Sequence, residues 1–175
     1  MIDAPVLVAL ANAGRPCRPP GTRRPVTEDP FEDAESATRM LKTFLGRSVD
    51  AGEVGDLRRL AREAGRIAAG LVDGVSPSAR ALNRIAADCA GRTQLRPTRA
   101  GGLAAVVVWD AGPAAAVLAR RVIEELGGIE PTRLRRCARP ECGLFFFDST
   151  RSGTQRWHSE VPCGWRERQR RRRAQ

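Results

Sequence analysis

Arg133–Arg173, RLRRCARPECGLFFFDSTRSGTQRWHSEVPCGWRERQRRRR, holds three of the five cysteines of the chain and its only histidine. The spacing is Cys137-x4-Cys142-x15-His158-x4-Cys163. Two close pairs of thiol and imidazole ligands, separated by an insert of hairpin length, are the pattern of a structural zinc site. Thiolate and imidazole suit zinc, and four of them close its tetrahedron. About 40 residues bury too little apolar surface to hold themselves together, so a metal staple makes physical sense. The alternatives are three buried free thiols beside a surface histidine, or a disulfide framework. The second requires a secreted protein. Cys89 falls on an apolar helical stripe and reads as core. Cys17 lies in a proline-rich loop and is assigned no role.

Charge points to the same segment. The 175 residues carry 30 basic and 20 acidic side chains, a net +10, and every basic residue except Lys42 is arginine. Residues 131–175 hold twelve arginines against four carboxylates, so this quarter of the chain accounts for eight of the ten excess charges. A basic module on a near-neutral body is the footprint of a polyanion binder, although a solubilising tail has the same composition. Arg166, Arg170 and Arg173 fall on one helical stripe, which Arg168, Arg171 and Arg172 widen. Arginine can grip phosphate or the guanine edge.

Upstream, the apolar periodicity predicts helices over 31–45, 56–72 and 113–126. Thr27 or Asp29 is the expected cap of the first. Ser76-Pro77 is the expected start of another helix, with Leu82, Ile85, Ala86 and Cys89 as its stripe. Val6–Ala11 is too short a run to assign, and residues 14–25, GRPCRPPGTRRP, read as a loop. Thr93–Arg99 and Leu103–Trp109, around Gly101-Gly102, predict a β-hairpin. The fold class is therefore α+β and mostly α. Residues 1–130 form a helical body with one hairpin, and residues 131–175 a small treble-clef-like zinc finger of hairpin plus C-terminal helix.

The segment resembles the CGNR zinc finger family. The shared features are Cys137-x4-Cys142, Phe145 to Asp148, Thr150, Arg156-Trp157, Ser159, Cys163-Gly164 and Arg166. The body more distantly resembles the ABATE domain that precedes such fingers, through Leu10-x-Asn12, the helix series and the hairpin. The resemblance implies a bacterial DNA-binding transcriptional regulator, with Arg156, Arg166, Arg168 and Arg170 to Arg173 on the nucleic acid. The expected cofactor is structural zinc on Cys137, Cys142, His158 and Cys163. The chain departs from the family at His158, where the family has cysteine, and at Trp165, where it has asparagine. A Cys3His set still binds zinc. Trp165 is expected to pack against Phe145–Phe147, or else to stack on a base.

A closed zinc has no position for a catalytic water, and no nucleophile–base pair is visible, so no enzyme is expected. Asp148, Ser149 and Thr150 read as a self-bonding turn. No apolar run reaches the ~18 residues of a membrane span. The first twelve residues lack the basic start of a secretory signal, so the expected location is the cytoplasm, at the nucleoid. RNA, a ribosomal site or a protein partner remain alternatives to DNA. A homodimer is compatible with the sequence, and no effector of the body can be named.

Overall fold

The computed structural model describes residues 5–15 and 29–173. Cys17, Thr27 and most of the proline-rich segment lie outside the described residues. The elements follow as α1 (Pro5–Asn12), α2 (Ala34–Leu45), α3 (Val54–Val72), α4 (Arg80–Ala86), β1 (Ala90–Pro97), β2 (Leu103–Ala111) and α5 (Ala114–Gly128). The finger adds β3 (Leu134–Arg136), β4 (Phe145–Phe147) and α6 (Trp165–Arg173). The structure is mostly helical with two small antiparallel hairpins, β1–β2 and β3–β4. No helix among the described residues is long and apolar enough to cross a membrane.

The run too short to assign from sequence is the centre of the body. Val6, Leu7, Leu10 and Ala11 of α1 are all buried, against α3 and α5. An isolated helix of this length does not form in water, so its order comes from packing. Its start is held from outside: the Glu125 carboxylate of α5 accepts hydrogen bonds from the backbone N–H of Val6 (3.0 Å) and Leu7 (2.8 Å). These are N–H groups that a first turn leaves without intrahelical partners, and a carboxylate also suits the positive end of the helix dipole. Burial raises the Glu125 pKa, and those two hydrogen bonds pull against the rise. Nothing local in the sequence marks this role.

The amphipathic stripe of α3 behaves as its spacing dictates, with Leu57, Leu60, Ala61, Ala64, Ile67 and Ala68 buried. Boundaries differ more. The cap of α2 is Asp33, whose side chain accepts from Ser36 N at 2.7 Å, not Thr27 or Asp29. Asp29 instead closes a local turn on Phe31 N, and the helix waits for the chain to pass it. Helix α4 starts at Arg80, not at Ser76-Pro77, because Pro77 packs against the Gly70 backbone of α3. Helix α5 runs through Gly127-Gly128 before Ile129 becomes extended.

A fixed junction joins the starts of α3 and α5. Glu53 accepts from Ala114 N at 2.7 Å and pairs with Arg47 at 2.7 Å. The hydrogen bond from Arg47 is the main reason its pKa falls to about 2. In the β1–β2 hairpin, Ala104, Val106 and Val108 are half-buried, while Leu103 and Val107 are exposed.

Hairpin β3–β4 pairs Leu134 with Phe147, Arg135 with Phe146 and Arg136 with Phe145. Leu134 and Phe145 belong to the same buried cluster as the helices of the body. The Asn12 side chain completes the attachment: Nδ2 donates to Phe145 O and Oδ1 accepts from Phe145 N, both at 2.8 Å. One amide side chain thus imitates a neighbouring strand for one residue of β4.

Candidate metal centre

The turn between β3 and β4 carries Cys137 and Cys142. Cys137 N donates to Leu144 O (2.8 Å) and Cys142 N to Arg139 O (3.0 Å), which curl the chain so that both sulfurs point the same way. Gly143 follows with φ +65°, a conformation that β-carbons disfavour. The next pair arrives from the segment before α6. Ala138 N donates to Arg156 O (2.8 Å), which lays that segment against the turn. A turn over Glu160–Gly164, in which Cys163 N and Gly164 N both donate to Ser159 O, brings Cys163 in just before α6.

The geometry gathers Cys137, Cys142, His158 and Cys163 with their ligand atoms all within 4.8 Å of one another. His158 Nδ1 lies 3.3 Å from Cys142 Sγ and 3.6 Å from Cys163 Sγ. Tetrahedral zinc, with bonds of about 2.3 Å to sulfur and about 2.0 Å to nitrogen, has ligand–ligand edges of roughly 3.5–3.8 Å. Cys137 and Cys163 are buried, as a closed structural site requires. The donor set and its spacing fit structural zinc.

Thiol chemistry agrees. Hydrogen bonding from Cys142, more than any other contact, holds the Cys137 thiol far below its ordinary pKa despite burial. Cys142 is pushed up by its hydrogen bond to Cys137 and by burial, and Cys163 by burial and the Cys137 charge. One thiolate forms readily and opposes the next two. A dication at the centre removes that opposition, so metal binding and deprotonation are coupled.

Arg139 is a functional residue that the sequence reading missed. It is buried, and its Nε donates to Glu141 at 3.0 Å. Burial works against its charge, but hydrogen bonds to Cys163 and Glu141 outweigh that and raise its pKa. Three thiolates, one neutral imidazole and Zn2+ sum to −1, and Arg139 sits where that charge is felt. The signal available was an arginine inside the Cys137–Cys142 turn.

Residues 133–175 match the CGNR zinc finger. No curated protein matches the chain. Within the finger, Asp148 forms the expected turn: its buried carboxylate accepts from Thr150 N (3.0 Å), Thr150 Oγ1 and Gln155 N (2.8 Å), with Arg135 Nε at 3.6 Å. Burial opposes its charge, and these contacts together still lower its pKa.

The predicted arginine set is partly regrouped. Arg156 and Arg168 both stand over the Trp157 ring, at 5.4 and 5.8 Å, and Arg168 also pairs with Glu160. The buried Glu167 draws Arg170 (2.8 Å) and Arg171 (3.6 Å) towards the finger. Arg166 is half-buried. Arg172 and Arg173 are exposed, with no carboxylate partner among the described residues. Of the Arg166–Arg170–Arg173 stripe, Arg170 and Arg173 are exposed and Arg166 is half-buried. Trp165 does not pack on Phe145–Phe147. It is 55 % exposed, since Leu134, Phe145 and the body already fill the space behind the hairpin.

Proposed function

We propose that this zinc-binding protein is a transcriptional regulator that grips duplex DNA with the arginines around α6. The observation that carries this reading is a basic helix whose start is pinned by a metal ligand, with Arg168, Arg171, Arg172 and Arg173 exposed along it. Zinc fixes the direction in which the helix leaves the finger, so its charge is presented as a surface rather than as a loose tail. Arg156 adds a fifth cation beside the helix. The exposed ion pair of Arg168 with Glu160 costs little to open, which leaves that side chain available to phosphate. In this reading the helical body, with its resemblance to the ABATE domain, senses a signal or joins copies of the chain, and the protein works at the nucleoid.

The test is binding of the full-length, zinc-loaded protein to duplex DNA and to structured RNA over a series of salt concentrations. Five phosphate contacts predict a slope of log affinity against log salt near −4 to −5 for duplex DNA. Salt-independent affinity, or a preference for RNA, would refute the proposal.

A further inference from the structure

Helix α6 and the turn before it carry a line of uncharged side chains inside the most basic surface of the molecule. Val161, Trp165 and Gln169 are four residues apart, so they stack on one edge of the helical path. Val161 is 70 % exposed and Trp165 is 55 % exposed. Gln169 is half-exposed, and its amide has no hydrogen-bond partner among the described residues. The opposite edge is the one that faces inward, where Glu167 is buried and collects Arg170 and Arg171. On one side of the uncharged line stand Arg168 and Arg172, themselves four residues apart, and on the other stands Arg173.

This arrangement has a physical meaning for what covers it. A protein partner seated on Val161 and Trp165 would strip water from the flanking guanidinium groups and give little in return. In a nucleic-acid groove the apolar and amide-bearing centre is flanked on both sides by phosphates. The major groove of B-DNA admits an α-helix, and its base edges offer what this line can use. A thymine methyl takes apolar contact, and adenine N6 and N7 together match a glutamine amide. Docked helices of this kind commonly touch bases with their first residues, and Trp165 is the first residue of α6.

We propose that Trp165 and Gln169, with Val161 behind them, contact base edges in the major groove, while Arg168, Arg172 and Arg173 hold the phosphates alongside. The finger then carries a sequence preference that includes A·T pairs. This inference rests on the DNA-binding reading and adds specificity to it. Phosphate contacts position a protein without informing it of sequence, whereas base-edge contacts do inform it.

The experiment is selection of bound duplexes from a random pool by the full-length, zinc-loaded protein, run in parallel for wild type, Trp165→Ala and Gln169→Ala. Trp165 is exposed and Gln169 half-buried, and neither belongs to the buried core, so zinc content and thermal stability are expected to match wild type and serve as the folding control. Wild type is expected to enrich a short motif containing A·T pairs. Each variant is expected to lose at least about fivefold of the preference for that motif over a scrambled duplex. The salt slope on the scrambled duplex stays unchanged, because no phosphate contact has been removed. Arg172→Ala is expected to do the reverse, weakening all duplexes and shallowing the slope by about one. Binding without any enriched motif would overturn this inference and leave DNA binding standing. So would variants that keep the full preference, or a Trp165→Ala variant that abolishes a dimer instead. Failure of the wild type to bind duplex DNA at all would instead overturn the function proposed above.

Discussion

Replacing Asn12 by alanine removes the clamp between the body and the finger. The amide of Asn12 makes two hydrogen bonds of 2.8 Å to the backbone of Phe145, a residue only 1 % exposed. Alanine takes away both bonds and leaves an N–H and a C=O of β4 without partners. Each neutral hydrogen bond is worth about 0.5–1.5 kcal/mol net, and each buried polar group left unpaired adds about 1–3 kcal/mol. Asn12 is itself half-buried, so water can reach part of the gap. The expected loss is therefore at the low end, roughly 2–4 kcal/mol. That is a large share of the total for a domain of this size. Asn12→Asp should fare no better, because a carboxylate can accept from Phe145 N but repels Phe145 O. The measurement is denaturant unfolding of zinc-loaded protein, followed by helical circular dichroism for the body and by Trp157 fluorescence for the finger, with Trp109 and Trp165 replaced by phenylalanine. The starting protein should unfold with both probes together, since Leu134 and Phe145 share the core of the body. In Asn12→Ala the finger probe should move to lower denaturant than the helical probe, and the Phe145 amide should exchange faster. A loss below about 1 kcal/mol with coincident transitions would refute the reasoning.

Three further outcomes follow from the geometry. His158→Ala removes one of four ligands and should lose stoichiometric zinc, whereas His158→Cys should retain it; metal analysis of purified protein decides. Glu53 has its pKa depressed to about 2 in the folded protein. Its contribution is thus present above the unfolded carboxylate pKa of about 4 and lost as pH falls towards 2. Glu53→Gln should cost on the order of 1–2 kcal/mol at neutral pH after solvent screening, and the difference from wild type should shrink in urea titrations run at progressively lower pH. Gly112 has φ +140°, and a β-carbon there would lie 2.8 Å from the Asp88 carbonyl oxygen. Gly112→Ala should destabilise by about 2–4 kcal/mol in thermal unfolding, because the obstacle is backbone and cannot swing away.

What the sequence determined by itself is what depends on neighbours along the chain. The helical period of α3, the hairpin around Gly101-Gly102 and the Cys137–Cys163 spacing are local or nearly so, and each appears in the structure as its pattern requires. The Asp148 turn was legible for the same reason, because its partners lie within seven residues. What only the tertiary structure decided involves partners far apart in sequence. Helix α1 exists because α3 and α5 cover it, and its two ends are held by Glu125 and by Phe145, more than a hundred residues away. Pro77 delays α4 because of a glycine in another helix. The outward face of α6 was the most consequential case. Six arginines in nine residues make every stripe look basic. One buried carboxylate, Glu167, sets the rotation, and it leaves Trp165 on the surface and Gln169 half-buried beside it. A run of like charges carries no phase of its own, so only packing against the finger could supply one.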